Sequence, residues 1–146
     1  MTAPVLPVVV LVRGRAAGEV LALREPVSFW GGFDAGTGRV VDRWHPDRGA
    51  CLTGRVLVMR AARGSSSGSS VLAEAVRRGT APAAIVLRSR DAILTTGALV
   101  AAVLYDRPCP VVVVESDQDF ARVAAAGRAE VEAEEDTGRL RLRPAE

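Results

Sequence analysis

The chain passes from a strand pattern to a helix pattern across a short turn rich in glycine and serine. The apolar run Val56–Met59 is typical of a buried strand, and residues 71–78 have the spacing of an amphipathic helix. Gly64, three consecutive serines and Gly68 lie between them. The pattern therefore places small hydroxyl residues at a helix N-terminus, where free backbone N–H groups and the helix dipole attract anions.

Two plainer interpretations of this turn remain open. Glycine- and serine-rich runs are commonly flexible linkers, and a serine at the start of a helix is an ordinary cap for a first-turn amide. A linker normally separates two segments that each look like a domain, and neither flank of this turn does. The abrupt change from strand to helix therefore favours an ordered turn, beside which Arg63 adds a positive charge.

The alternation of strand and helix continues through the middle of the chain, after an all-strand first third and before a terminal hairpin. Asp91 and Asp117 are expected to cap the second and third helices. Alternating Glu and Arg residues indicate a charged β-hairpin at about 128–143. The predicted strands cover residues 8–13, 18–24, 27–30, 39–42, 55–61, 83–87 and 111–114, and the predicted helices cover residues 67–78, 91–104 and 118–126.

This order predicts one α+β domain over residues 1–146, a small β-barrel or sandwich of short strands with helices laid against it. Aromatic residues make up only 4% of the chain, so Val, Leu, Ala and Ile must build the core. The net charge of +2 is small and the arginines are dispersed, which argues against a nucleic-acid binder. No apolar run approaches the roughly 18 residues of a membrane span, and no signal peptide is evident, so we expect a cytoplasmic protein.

Cysteine, histidine and tryptophan are rare in this chain and offer few side chains for metal or substrate binding. Cys51 and Cys109 lie far apart and are expected to be buried, free thiols that form no metal site by themselves. The single histidine, His45, is expected to be a surface loop residue, although contact with a partner or substrate stays open. Trp30 and Trp44 are expected in core or interface packing. The Gly31–Gly32 segment before Asp34 is expected to be a structural corner, with Asp34 capping the next turn.

Three motifs, taken together and in this order, resemble the swivelling domain of aconitase X. The motifs are PVSFWGGFD at residues 26–34 with Thr37 and Gly38, RGSSSGS at residues 63–69, and RRGTAPAAI at residues 77–85. The resemblance covers about residues 14–115, and the residues from 116 onward carry no motif of that family.

The resemblance implies a swivelling β/β/α domain that serves as the small subunit of a hydro-lyase, in a heterodimer or higher assembly with a large catalytic subunit. The large subunit is expected to hold an iron or iron–sulfur centre through its own cysteines, so that this chain binds no cofactor. Family activities dehydrate cis-3-hydroxy-L-proline in bacteria and mevalonate 5-phosphate in archaea. The chain is rich in Arg and Ala and lacks Lys, which is typical of a GC-rich bacterial genome and favours the hydroxyproline substrate.

The catalytic serine of the family directly follows the glycine of the second motif, which implies Ser65 as the base that removes a proton from substrate carbon. Ser66 is the alternative, because consecutive serines leave the register open by one. The neighbouring Gly64, Ser66, Ser67 and Arg63 are expected to bind the substrate. A helix N-terminus and an arginine both favour negative charge at such a serine.

Other functions fit this segment less well. A non-catalytic module of the same fold, binding an anion at the Gly-Ser loop, is the main alternative. A serine hydrolase is not favoured: Ser66 lies between Gly64 and Gly68, but His45 precedes the loop and lacks the strand-end position of a triad histidine. A phosphate-binding P-loop is excluded because the chain has no lysine.

Overall fold

The computed structural model describes residues 3–145, which form nine strands and four helices. Their order along the chain is β1 Val5–Val12, β2 Gly14–Ala22, α1 Phe29–Gly32, β3 Phe33–Asp34, β4 Arg39–Val40, β5 Val56–Met59, α2 Gly68–Arg78, β6 Ala84–Leu87, α3 Ala92–Tyr105, β7 Val111–Val113, α4 Asp117–Ala125, β8 Arg128–Ala133 and β9 Gly138–Arg143.

Seven of these strands close into a barrel in the order β1-β7-β6-β5-β2-β8-β9. The long strands β1 and β2 each belong to two sheets: residues 14–19 of β2 pair with β8, and residues 20–22 pair with β5. Strands β5, β6 and β7 are parallel, and α2 and α3 connect them. Of the two predicted architectures, the structure is therefore the barrel, with α1, α2 and α3 packed against its outer surface and α4 packed against the residues of its interior.

Two apolar clusters lie on opposite faces of the parallel strands. In β5, Val56 and Val58 point into the barrel interior, whereas Leu57 and Met59 pack under α2 and α3. Because both faces are covered, all four residues are buried, as expected of a strand in a parallel sheet. The barrel interior consists almost entirely of valine, leucine and alanine, which agrees with the scarcity of aromatic residues.

Helices α2 and α3 approach each other closely at Gly97. A Cβ atom at Gly97 would lie 2.6 Å from the backbone oxygen of Ser69, so only glycine fits this contact. The Ser69 hydroxyl also donates a hydrogen bond of 2.8 Å to the carbonyl of Ile93. The first turn of α2 is thereby fixed to the start of α3.

Several predicted elements differ from the structure. The strand predicted at residues 27–30 is wrong: Ser28 is followed by the short helical segment α1, which turns at Gly31 with φ of +86°. Helix α4 is capped by Ser116, whose hydroxyl accepts from the Asp119 amide, so the predicted cap at Asp117 is also wrong.

Strands β1 and β2 begin earlier than predicted, at Val5 and Gly14, because their first halves pair with the terminal hairpin. The cap at Asp91 is confirmed by a 2.7 Å hydrogen bond from the Leu94 amide.

The predicted hairpin at 128–143 is confirmed as β8 and β9. Glu132 lies opposite Arg139 and Glu130 opposite Arg141, with ion-pair distances of 3.3 and 3.7 Å. These side chains are partly exposed, so each pair adds only about 0.2–1 kcal/mol to stability. None of the helices described within residues 3–145 has the length and apolar character that crossing a membrane requires.

Candidate functional site

The Gly-Ser loop, defined here as residues 63–68, joins the buried strand β5 to helix α2. Gly64 adopts a φ of +96°, a conformation that glycine adopts at little cost. Gly68 is buried and begins α2, and Ser67 occupies the N-cap position. The loop is thus an ordered turn between packed elements, and its interpretation as an interdomain linker is wrong.

Ser65 is exposed, and its hydroxyl is engaged by the backbone. The Ser65 Oγ accepts a 3.1 Å hydrogen bond from the amide of Ser67. An N–H donor at this oxygen stabilises negative charge on it, as does the adjoining N-terminus of α2. The hydroxyls of Ser66 and Ser67 are also exposed and make no hydrogen bond to the described part of the chain. This difference distinguishes Ser65 from its two neighbours.

The remaining serines of the run are structural. Besides the bond from Ser69 to Ile93, the Ser70 hydroxyl donates a 2.8 Å bond to the carbonyl of Ser67. Both side chains therefore hold α2 in place, and the hydroxyls free to meet a substrate belong to Ser65, Ser66 and Ser67.

The backbone amides at the start of α2 are less available than the sequence predicts. The Ser67 amide donates to Ser65 Oγ, and the Gly68 and Ser69 amides donate to the carbonyls of Ser65 and Ser66 at 3.0 and 3.1 Å. These three amides are therefore not available to an anion, which leaves the helix dipole, the serine hydroxyls and Arg63 as groups that favour anion binding at this loop.

Arg63 is half-exposed and lies beside Asp42. Its Nη2 atom is 3.8 Å from Asp42 Oδ2, while Asp42 Oδ1 accepts a 3.0 Å bond from the Trp44 amide. The sequence prediction of a free positive charge beside the loop is therefore modified, because a substrate carboxylate would share Arg63 with Asp42. Sequence reasoning missed Asp42, which lies outside the motifs.

The first and second motifs meet in the structure. Gly64 lies against the side chain of Ser28, and Gly68 lies against Phe29 and the backbone of Trp30. Gly64 and Gly68, which flank the three serines, thus both pack against the segment 28–30. Sequence reasoning missed this role for Ser28, although the residue is part of the first motif.

The third motif, residues 77–85, contacts the turn that follows Asp34. The Thr80 hydroxyl donates a 2.6 Å bond to the carbonyl of Ala35. Asp34 accepts hydrogen bonds from the Gly36 amide and the Thr37 hydroxyl, which hold the pKa of its carboxyl below the ordinary value. The predicted role of Asp34 as the cap of this turn is confirmed.

The prediction for His45 is wrong, and of the two alternatives for Trp30 and Trp44, core or interface packing, the core is excluded. His45 is buried: its Nδ1 accepts from the Asp47 amide at 2.9 Å, so Nε2 carries the proton and donates to the carbonyl of Glu25 at 2.9 Å. Both ring nitrogens are used to hold the loop, and His45 is not a surface residue. Trp30 and Trp44 are 56% and 84% exposed, so neither is in the core.

The two cysteines differ in burial. Cys109 is buried as predicted, and desolvation raises the pKa of its thiol to about 12. Cys51 is only partly buried, which corrects the prediction, and the Thr53 hydroxyl and amide lower the pKa of its thiol.

We expect only Cys51 to react with a thiol reagent such as Ellman's reagent in the native chain, because the thiolate is the reactive form. Titration at neutral pH should give one rapidly reacting thiol, and two in denaturant. Mass spectrometry of the labelled chain identifies the residue, and labelling of native Cys109 at a comparable rate would contradict the assignment.

Within residues 3–145, no group of three or more His, Cys, Asp or Glu side chains is arranged to hold a metal ion. The serine hydroxyls and Arg63 at the Gly-Ser loop suit an organic anion, which would compete with Asp42 for Arg63.

Comparison with known proteins identifies the family. The sequence profile described as the aconitase X swivel domain matches residues 6–141, nearly the whole chain. The chain belongs to the aconitase X swivel domain family. The match extends beyond the predicted coverage of residues 14–115 and includes most of the terminal hairpin, whose strands complete the barrel of this swivel domain.

Relatives of this swivel domain have two kinds of names. A cis-3-hydroxy-L-proline dehydratase of Pseudomonas aeruginosa is 50% identical over 69% of this chain, which spans only 17% of that enzyme. A phosphomevalonate dehydratase small subunit of Methanothermobacter thermautotrophicus is 44% identical over 68% of this chain and 76% of the relative. The swivel domain thus resembles part of a much longer chain in one relative and most of a small subunit in the other.

Solved structures share the fold. The aconitase X of Thermococcus kodakaraensis, in its holo-form, superposes with a TM-score of 0.77 at 31% identity, covering 95% of this chain and 98% of that one. A UPF0107 protein solved by NMR in solution gives a TM-score of 0.78 at 32% identity, with the same coverage. These likenesses confirm the predicted swivel architecture.

Proposed function

We propose that this chain is the small subunit of an aconitase X type hydro-lyase and supplies Ser65 as the base that removes a proton from substrate carbon. The observation that carries the proposal is the hydrogen bond from the Ser67 amide to Ser65 Oγ, in a loop exposed at the N-terminus of α2. The names of the two relatives described above, a dehydratase and a dehydratase small subunit, support the class of reaction.

A serine is a weak base unless its alkoxide is stabilised. The Ser67 amide and the α2 dipole lower the free energy of negative charge at Ser65 Oγ. Arg63 lies two residues before Ser65, but its side chain is beside Asp42, so its contribution to the charge at Ser65 is partly offset. The Ser65 alkoxide takes the proton and becomes the neutral hydroxyl, while Ser66, Ser67 and Arg63 bind the carboxylate and Gly64 allows the backbone to approach the substrate. An iron or iron–sulfur centre, which we expect in the large subunit, supplies Lewis-acid assistance for departure of the hydroxyl.

The substrate we propose is a small hydroxy acid, with cis-3-hydroxy-L-proline first and mevalonate 5-phosphate as the alternative. The relative at 50% identity carries the first name and the one at 44% carries the second, so similarity gives the hydroxyproline substrate only a small advantage. The absence of lysine, which is typical of a GC-rich bacterial genome, also favours the hydroxyproline substrate.

The test is to purify this chain together with the large subunit of the same organism, without oxygen, and to assay dehydration of both compounds. Turnover of cis-3-hydroxy-L-proline that needs both chains supports the full proposal. Turnover of mevalonate 5-phosphate alone keeps the hydro-lyase and replaces the substrate. A failure of the chains to associate contradicts the subunit and favours a free-standing anion-binding module.

We propose that the large subunit binds over the Gly-Ser loop, in the cytoplasm. Ser65, Ser66 and Ser67 are exposed, so a substrate held there needs a second protein surface to exclude water. Two exposed tryptophans belong to segments that adjoin the loop: the Trp30 backbone lies against Gly68, and the Trp44 amide bonds to Asp42, the neighbour of Arg63.

We expect the double variant Trp30→Ser/Trp44→Ser to weaken binding of the large subunit at least about 30-fold, because buried aromatic residues commonly dominate protein interfaces. The side chains are exposed in the isolated chain, so its melting temperature should change little. Titration calorimetry of the two subunits measures the dissociation constant.

The matched control is Val103→Ser/Leu104→Ser, which removes two other exposed apolar side chains, 75% and 67% exposed, at the far end of α3. We expect this variant to bind as the wild type does. A loss of binding in the control but not in the tryptophan variant would place the interface on α3 instead.

A further inference from the structure

We propose that Ser28 is a positioning residue for Ser65, acting through Gly64; the inference rests on the proposed role of Ser65. The two residues lie in different motifs and are brought together only by the fold. Ser28 precedes α1, and Gly64 directly precedes Ser65.

The contact between Ser28 and Gly64 is close. A Cβ atom at Gly64 would overlap Ser28 Oγ and lie 2.7 Å from Ser28 Cβ. The side chain of Ser28 therefore occupies the space directly beneath Gly64, at the point where the backbone turns with φ of +96°. A shift of the Ser28 side chain would therefore change the packing under Gly64, the residue that precedes the proposed base Ser65.

Ser28 is itself held in place by hydrogen bonds within its own segment, residues 28–32. Its hydroxyl donates a 2.8 Å bond to the carbonyl of Trp30, and its carbonyl accepts a 3.0 Å bond from the Gly32 amide. The Gly32 carbonyl in turn accepts a 2.9 Å bond from the Val41 amide. These hydrogen bonds fix the backbone and the hydroxyl of Ser28, so the side chain that contacts Gly64 is held in one position.

The same segment supports the other end of the loop. A Cβ atom at Gly68 would lie 3.4 Å from Phe29 Cβ and 3.6 Å from the Trp30 amide nitrogen. With Gly64 on Ser28 and Gly68 on Phe29, both ends of the three-serine segment rest on consecutive residues. This arrangement constrains the backbone that carries Ser65, and proton transfer depends on where the base lies relative to the substrate.

The chain contains a matched control for this arrangement. Gly38, with φ of +74°, lies against Thr53 in the same way, since a Cβ atom there would overlap Thr53 Oγ1. The Thr53 hydroxyl also donates to a carbonyl, that of Thr80, at 2.8 Å. Thr80 follows the C-terminal end of α2, whereas the Gly-Ser loop precedes its N-terminal end.

The test compares Ser28→Ala with Thr53→Ala in the complex with the large subunit, assayed on the substrate that the wild type dehydrates. We expect Ser28→Ala to lower kcat about 10-fold with KM within twofold, and Thr53→Ala to leave both unchanged. Equal losses in the two variants, or a wild-type kcat in Ser28→Ala, would overturn the proposal.

A double-mutant cycle then tests whether Ser28 acts through Ser65. In the Ser65→Ala background, Ser28→Ala should cause no further loss of residual turnover, because its target is already absent. A further loss of the full 10-fold would show an independent role and overturn the proposal. If Ser65→Ala alone keeps full turnover, the proposed function fails instead, which separates the two failures.

Amide hydrogen exchange of the isolated chain supplies a readout that does not depend on turnover. We expect Ser28→Ala to accelerate exchange of the Gly68 and Ser69 amides, which donate within the loop, at least about 3-fold. The same amides should exchange at the wild-type rate in Thr53→Ala. Unchanged exchange in Ser28→Ala would overturn the positioning role.

Discussion

The Ser65→Ala variant is expected to assemble with the large subunit as the wild type does and to lose turnover by at least about 10²-fold. The loss follows from removal of the proposed base. Assembly should persist because Ser65 is exposed and its hydroxyl makes one hydrogen bond, from the Ser67 amide. Single-turnover kinetics of the purified complex, with size-exclusion chromatography to check assembly, measures both quantities.

Ser66→Ala is the control for the register of the loop. Ser66 is also exposed, but its hydroxyl accepts no hydrogen bond from an amide in the described chain, so we expect a loss of less than about 10-fold, through weaker substrate binding. A large loss in Ser66→Ala with normal turnover in Ser65→Ala would move the base by one residue. Normal turnover in both variants would contradict a catalytic role for the loop.

The Gly64→Ala variant is expected to lose turnover about as severely as Ser65→Ala, by roughly 10²-fold. The added methyl group would overlap the side chain of Ser28, and alanine is strained at a φ of +96°. The loop must therefore move, and Ser65 moves with it. Stability should also fall by about 1–3 kcal/mol, measured by urea unfolding.

Gly79→Ala is the control that introduces backbone strain at a positive φ without a steric overlap of the added methyl group. Gly79 has a φ of +80° at the end of α2, but a Cβ atom there would meet nothing within 4 Å. We expect it to lose about 1 kcal/mol of stability from backbone strain and to keep wild-type turnover. Equal turnover in Gly64→Ala and Gly79→Ala would show that displacement of the loop has no effect on the reaction.

Local patterns predicted the elements that depend on nearby residues. Helix α2 and the β8–β9 hairpin lie where periodicity and turn chemistry place them, because their bonds join residues close in sequence. Strand β5 was also located correctly from its apolar run, although its partners β2 and β6 lie far along the chain. Asp91 was identified as a cap for the same reason, since its partner, the Leu94 amide, is three residues away. The motifs identified the family without reference to a fold.

Patterns failed where partners lie far apart in the chain. Residues 27–30 have β propensity but bend into α1, because the segment must pass beneath the Gly-Ser loop rather than join a sheet. His45 was expected at the surface, but the loop folds over it and uses both ring nitrogens. Burial of a loop residue depends on how the loop closes, which local composition does not encode.

The sequence by itself determined the βα alternation, the terminal hairpin, the serine loop and the family to which the chain belongs. Only the tertiary structure decided that the strands close into a barrel through shared β1 and β2, and that Ser28 supports Gly64. The physical reason is that propensity and periodicity act over a few residues. The packing that positions Ser65 is instead set by segments that meet only when the barrel and its helices are assembled.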